Sequence, residues 1–490
     1  MSKNPLKKLA GETLIYGFST IFARFINFIF VPLYTYKLTT ESYGVATEFL
    51  AYIAILQVVL TLGLETGCFR FANKGQKPNL VFSNALTTVI IVAGTLFALL
   101  LLFRESIAIS LGYRGQSILI FFVAAILLLD SITAILFAQL RFLNRAVKFA
   151  TLKSIKILSE TLFNFLLFFG APSYFKGHPN SFLLKFVSAT PDYTYILFAI
   201  FLSTVVSLLI FLPDLFKVKL QIAPKLWREM MRYSIPIMIA GLPGILNDFA
   251  DRVLFRFFAP QGLKWESELG IFQAGVKISM LMMLFIQMFR FAAEPFFFAK
   301  EGERGSRILY AKVMEHFTAI GTLIFLAILF YIDIIQYLIG SHFREGLSIV
   351  PVMLLSYLLL GINFNLSMWY KLSEKTNWAI IITLVGLPVT LIINIVLMPL
   401  YSYHAAAWAH LASYLTMLIL SAYLGNRHYP IPYNWKRIVG YIAIGLLFWW
   451  ASTKLFIEST LLKYFFNTTL IILYIWIYYR GQKNRLPYES

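Results

Sequence analysis

Val81-Phe-Ser-Asn-Ala-Leu-Thr-Thr-Val-Ile-Ile-Val-Ala-Gly-Thr-Leu-Phe-Ala-Leu-Leu-Leu-Leu-Phe103 contains no charged residue, and Lys77 and Arg104 stand just outside it. As a helix rising about 1.5 Å per residue it would extend roughly 35 Å, enough to cross a hydrocarbon core of about 30 Å. Similar runs recur along the chain. The 20-residue criterion places spanning helices at 14–36, 44–64, 81–103, 117–139, 151–171, 191–213, 233–258, 269–292, 313–334, 348–370, 378–398, 405–425, 438–457 and 462–479. The sequence therefore predicts an all-α polytopic membrane protein with about fourteen spans.

Composition agrees. Of 490 residues, 59% are hydrophobic and 13% charged, and mean hydropathy is +0.75. A soluble domain is nearer 45–50% apolar and about 25% charged. The polar gaps are too short for an extramembrane catalytic lobe. The net charge of +19 would suggest nucleic acid in a soluble protein; here it predicts orientation and contact with anionic membrane lipids, and no nucleic-acid partner. The single cysteine, Cys68, rules out an internal disulfide. The basic start, Met1 to Lys8, runs into an apolar stretch with no small-residue cleavage site, and reads as an uncleaved first helix.

The basic residues test the layout. With the N-terminus inside, and residues near span ends, Lys153 and Lys156 among them, counted with the adjoining segment, 28 of the 42 Lys and Arg fall in inner segments and 10 in outer ones; Arg24, Arg252, Lys277 and Arg290 lie deeper within helices. That bias fits the positive-inside rule with both termini cytoplasmic, and an odd helix count would destroy it. Trp227, Trp265, Trp369, Trp378 and Trp435 fall near predicted helix ends, as interfacial anchors do.

A faint repeat accompanies this pattern. Arg24 in span 1 precedes Glu41-Ser-Tyr-Gly44, and Arg252 in span 7 precedes Glu268-Leu-Gly270; the two glycines are 226 residues apart. Six helices per unit give both units one orientation, a parallel repeat about an axis along the membrane normal. The expected organisation is residues 1–232 (spans 1–6), 233–437 (spans 7–12) and 438–490 (two further helices and a tail).

Charged and strongly polar groups inside a bilayer cost at least about 2.5–3.5 kcal/mol at its centre, and they mark partners or hydrated pathways. Thr20, Arg24 and Asn27 share a face of span 1. Span 7 holds Asn247, Asp248, Asp251, Arg252 and Arg256; span 8 holds Gln273, Lys277 and Gln287, ending near Glu294; span 5 holds Lys153, Lys156, Glu160 and Asn164; span 4 holds Asp130 and span 2 holds Glu48. One reading is a hydrated cavity in which Arg24, Arg252 and Lys277 receive an anion, since the guanidinium fork suits phosphate. The other is internal neutralisation, with Asp248–Arg252 and Lys156–Glu160 as structural pairs four residues apart. Pro32, Pro236 and Pro243 break the backbone ladder in spans 1 and 7, as kinked helices beside a cavity require.

No G-x-x-x-x-G-K-[ST] loop and no G-x-S-x-G elbow occurs. The six histidines are scattered, so neither a metal site nor a catalytic residue is expected. Transport would draw on an ion gradient such as H+ or Na+, the membrane potential or the substrate gradient, with no cofactor.

Tyr16-Gly-Phe-Ser, Arg24-Phe, Pro32-Leu-Tyr and Tyr43-Gly44, then Ser234-Ile-Pro236, Asn247-Asp-Phe-Ala-Asp251-Arg252, Leu269-Gly-Ile-Phe-Gln-Ala-Gly-Val-Lys277, Glu294-Pro295-Phe-Phe and Lys371-Leu-Ser-Glu-Lys375-Thr, with Asn394 and Pro399, follow one another in an order that resembles polysaccharide-biosynthesis flippases of the multidrug/oligosaccharidyl-lipid/polysaccharide (MOP) exporter superfamily. The resemblance implies two six-helix lobes in MATE-like parallel pseudo-twofold relation plus two C-terminal helices. It implies a polyprenyl-diphosphate-linked oligosaccharide moved from the cytoplasmic to the outer leaflet of a bacterial inner membrane, for O-antigen, lipopolysaccharide or capsule assembly. Membrane lipids and a polysaccharide polymerase would be its other partners. Arg24, Arg252 and Lys277 would be the cavity cations; Asn27, Asp130, Glu160, Asn247, Asp248, Asp251 and Gln273 would serve coupling or line the cavity. A flippase for the peptidoglycan lipid precursor, with the same helix number, is the nearest alternative. A multidrug cation exporter would want about twelve helices and acids without nearby arginine. A glycan polymerase or ligase would want a large outer loop rich in Arg and His, whereas 172–190 carries Lys176, Lys185 and His178 alone. A non-transporting scaffold would not need buried charges in both lobes.

Overall fold

A computed structural model describes residues 25, 26, 28–455 and 459–483. The described residues form fourteen main helical segments, joined by loops and short helical turns: α1 (28–37), α2 (Thr40–Asn73), α3 (Pro78–Leu102), α4 (Ile118–Phe142), α5 (Ala146–Gly177), α6 (Tyr193–Leu215), α7 (Pro224–Phe258), α8 (Trp265–Ala299), α9 (Ser306–Phe330), α10 (Ser341–Leu372), α11 (Asn377–Tyr401), α12 (Tyr403–His428), α13 (Trp435–Lys454) and α14 (Thr460–Lys483). Eleven of these are long and apolar enough to cross a membrane. α7 is excluded because Asn, Asp, Arg and Pro dilute its apolar run, and α13 because it is short, with Lys436, Arg437 and Lys454 at its ends. α1 is the end of the first predicted span. The chain is an all-α multi-pass membrane protein.

Several helices outrun their predicted bounds. α7 and α8 each span 35 residues, about 50 Å of helix, because polar turns that hydropathy rejects still continue the backbone ladder. α5 runs on through a π-helical turn at Leu166–Gly170. α2 is interrupted at Leu62 and Gly63, both in the left-handed region.

The chain forms two compact units that part between Gly270 and Ile271. In the first, α3 packs on α4, α5 and α4 on α6, and α2 on α7. Its buried core joins Leu64, Cys68, Phe82, Leu86, Leu136, Phe149 and Phe211. Close approach of α2 to α7 rests on Gly63 and Gly67, whose added Cβ atoms would lie 2.5 Å from the Ser234 carbonyl oxygen and 2.2 Å from its Oγ. This is the small-xxx-small spacing that lets membrane helices approach.

In the second unit, α12 packs on both α10 and α11, and α9 on α13 and α14. The last two helices are anchored by polar contacts: Arg437 to buried Glu315 at 3.1 Å, the Tyr474 hydroxyl donating to the Ala319 carbonyl at 3.1 Å, and Asn467 Nδ2 to the Phe330 carbonyl at 3.0 Å. Trp369 is no interfacial anchor. It is buried against Gly425, and its indole N–H donates to Ser421 at 3.2 Å.

Candidate functional site

Polar side chains of α1, α2, α5 and α7 converge in the first unit. The Tyr34 hydroxyl donates to Asn164 Oδ1 at 2.9 Å, and Asn164 Nδ2 donates to the Glu160 carbonyl one turn back at 2.9 Å. The Tyr34 and Tyr43 rings lie 6.2 Å apart, and Tyr43 is within electrostatic reach of Arg252. The aromatic floor includes Phe168 of the π-helical turn, 5.5 Å from Tyr34. Such turns recur where a helix carries function.

On α7, Asn247 and Asp251 are buried, Asp248 is exposed, and Arg252 is half-buried. The Arg252 guanidinium lies over the Phe249 ring at 4.4 Å, and its Nε is buried without a hydrogen-bond acceptor among the described residues. Among the described residues Arg252 joins no ion pair, so the i,i+4 pairing with Asp248 open to the sequence is not made. On α4, Asp130 binds Lys156 of α5 at 2.5 Å; the Lys156 side chain thus reaches across helices instead of along α5 to Glu160. Glu160 is half-buried, within electrostatic reach of Tyr34. Arg24 and Asn27 lie outside the described residues. In the second unit, Gln273 is buried with neither amide atom hydrogen-bonded among the described residues, and Lys277 is half-buried one turn on.

Five residues along α2 from Tyr43 lies a network that the sequence did not assemble. Glu48 is 0% exposed and receives both arms of Arg256, at 2.5 and 2.6 Å. The hydroxyls of Tyr52 and Tyr113 each donate to it at 2.7 Å. Burial first, and then the Glu48 charge, push the Tyr113 phenol far above its ordinary range, so it stays a donor. Arg256 also donates to the Leu111 carbonyl at 2.6 Å and stacks 4.3 Å above Trp265. Glu48 and Arg256 are 208 residues apart, and no local spacing announces such a pair. The Gly63–Gly67 spacing was, by contrast, a readable signal.

The repeat has a geometric counterpart. A Cβ on Gly44 would meet the Glu266 carbonyl at 1.8 Å, and one on Gly270 would meet the Thr40 carbonyl at 2.0 Å. The contact is reciprocal at an offset of 226, as symmetry-related contacts are. A second echo lies at the opposite helix ends. Glu65 of α2 pairs with Arg141 of α4 at 2.8 Å, and Glu294 of α8 pairs with Lys371 of α10, about 230 residues later.

The chain matches the polysaccharide biosynthesis protein family over residues 9–300. It belongs to that family. No curated protein matches it in sequence. The fold of this polysaccharide biosynthesis protein is shared with a structure of the lipid II flippase MurJ in an inward closed conformation, at TM-score 0.70 and 14% identity over 96% of this chain and 99% of that one. An inward-facing multidrug resistance MATE family transporter of the MOP superfamily gives TM-score 0.59 at 14% identity, over 84% of this chain and 95% of that one. An outward-facing structure of such a transporter gives 0.57 at 15%, over 89% and 95%. The fold is thus of the MurJ and MATE type.

Proposed function

We propose that this protein is a flippase that moves a polyprenyl-diphosphate-linked oligosaccharide from the cytoplasmic to the outer leaflet by alternating access, for surface-polysaccharide assembly. Arg252 carries the reading. A half-buried guanidinium with an unsatisfied buried Nε and no ion pair among the described residues is costly in a membrane protein, and such groups are kept where a ligand supplies the missing acceptor. A diphosphate is that acceptor: bidentate, anionic and drawn to arginine.

In this reading Arg24, Arg252 and Lys277 serve the diphosphate. Asn27, Asp130, Glu160, Asn247, Asp248, Asp251 and Gln273 line the path or take part in H+ or Na+ coupling. The glycan crosses in water, the prenyl tail stays in lipid, and both termini lie on the cytoplasmic side of an inner membrane, where a polymerase takes up the product. A second reading, transport of a peptidoglycan lipid precursor, is favoured by the extent of the MurJ likeness.

The test is deletion of the gene, with extraction of polyprenyl-linked glycans and assay of their leaflet. An intact oligosaccharide on the cytoplasmic leaflet is expected, its mass separating the two readings. Complementation by Arg252→Ala should restore less than a tenth of flipping at normal protein level, and Arg252→Lys part of it, a loss of at least about 1.4 kcal/mol in binding terms. Wild-type flipping by Arg252→Ala would overturn the assignment.

A further inference from the structure

We propose that the first unit binds the phosphodiester headgroup of an anionic phospholipid in a cavity beneath the α6–α7 linker, apart from the path assigned to the glycan. The cavity holds about 400 Å³ and is lined by Arg145, Lys217 and Lys219 with Asn79, Gln139 and Gln221. It sits where α3 begins and α4 and α6 end, on the side that carries the excess of Lys and Arg. That volume lies within the usual range for small-ligand sites.

Three observations make it an anion site. Among the described residues the one acid in its wall, Asp214, is already held by Lys148 at 2.6 Å, so it neutralises none of the lining cations. Arg145, Lys217 and Lys219 join no ion pair among the described residues, which leaves three positive charges converging on one hollow. The linker is also fixed in place: Ser83 donates to the Lys219 carbonyl, the Ala223 N–H donates to Asn84 Oδ1 at 2.7 Å, and the Trp227 indole donates to Thr88 at 3.0 Å.

The linker's exposed apolar side chains select a lipid. Lys217, Val218, Lys219 and Gln221 line the cavity, and Phe216, Leu220 and Ile222 beside them are 82%, 57% and 41% exposed. A polar cradle with an apolar rim at a helix-end boundary matches a headgroup with its acyl chains alongside, and basic pockets between helix ends on the positive side suit anionic headgroups. A free phosphate would find the same cations but has no use for the rim. Because the linker joins α6 to α7, the lipid would brace the connection between the sixth and seventh helices.

The test is native mass spectrometry of the purified full chain in detergent, titrated with dihexanoyl-phosphatidylglycerol, with dihexanoyl-phosphatidylcholine as the neutral control and inorganic phosphate as competitor. The wild type should prefer the anionic lipid. The triple variant Arg145→Ala, Lys217→Ala, Lys219→Ala should lose at least roughly tenfold in that affinity, while Lys225→Ala, Arg228→Ala, Arg232→Ala, of equal charge change, should not. Asn79→Trp fills the hollow without altering charge and should weaken binding alike. Unchanged affinity in the first triple or in Asn79→Trp, or an equal loss in both triples, would overturn the site in favour of diffuse surface charge. Displacement of the lipid by low-millimolar phosphate would overturn the lipid assignment in favour of a free anion.

Discussion

Glu48 shows what a buried charge requires in this chain. Its carboxylate gains four hydrogen bonds, two from Arg256 and one each from Tyr52 and Tyr113, enough to replace the water it has lost. A pair so enclosed is strongly asymmetric: removing one partner costs about 3–5 kcal/mol, whereas replacing both by apolar groups is often neutral. Glu48→Gln keeps the shape and strands the guanidinium, so the purified variant should unfold several degrees below the wild type in a thermal melt. The double variant Glu48→Leu, Arg256→Leu should recover most of the loss. A wild-type melt for Glu48→Gln would remove the network from the account of stability. At this scale the sequence was partly legible. Hydropathy flags Glu48, Asp130, Arg252 and Lys156 as expensive, because cost belongs to the residue and its run of neighbours. Partners belong to the fold, and for that reason Lys156 reaches Asp130 and Glu48 reaches Arg256. Arg24 and Asn27 lie outside the described residues, so their part in the site is a matter for substitutions of the Arg252 kind.

Helix crossings are set by what is missing from glycine. At Gly44 and Gly270 the opposing atom is a backbone carbonyl oxygen, 1.8 and 2.0 Å from where a Cβ would sit, and backbone cannot rotate away as a side chain does. Gly44→Ala or Gly270→Ala must therefore push α2 and the start of α8 apart, which also stretches the Thr40–Ser267 hydroxyl contact of 2.8 Å. Each should lower the folded fraction recovered on size-exclusion chromatography. Gly94 in α3 has nothing within 4 Å of its Cβ position, so Gly94→Ala should be neutral or gain up to about 1 kcal/mol from helix propensity. Equal behaviour of all three variants would mean that the crossing is slack. The spans themselves were legible as apolar runs, a property of one dimension. The lengths of α7 and α8 were not, because polar turns at helix ends satisfy the backbone as well as apolar ones do.

Across the molecule the question is whether α7 spans the membrane. Its hydropathy falls short, yet its 35 residues exceed bilayer thickness, and Asn247 and Asp251 are buried inside the protein, where polar groups cost little once partnered. The basic-residue bias also needs it. If α7 failed to cross, the loops from α8 to α12 would exchange sides and place Lys300, Arg304, Arg307 and Lys436 outside. Cys68 is the single cysteine and is buried, so Cys68→Ala gives a clean background for labelling. Asn180→Cys, Arg304→Cys and Lys436→Cys each place a thiol at an exposed site. With fourteen crossings and the N-terminus inside, a membrane-impermeant maleimide should label Asn180→Cys in intact cells, and the other two only after permeabilisation. Labelling of all three in intact cells would mean that α7 does not cross. Labelling of Arg304→Cys and Lys436→Cys but not Asn180→Cys would invert the whole protein, moving the basic cavity under the α6–α7 linker to the outer face and reversing the direction in which a lipid-linked glycan would be presented.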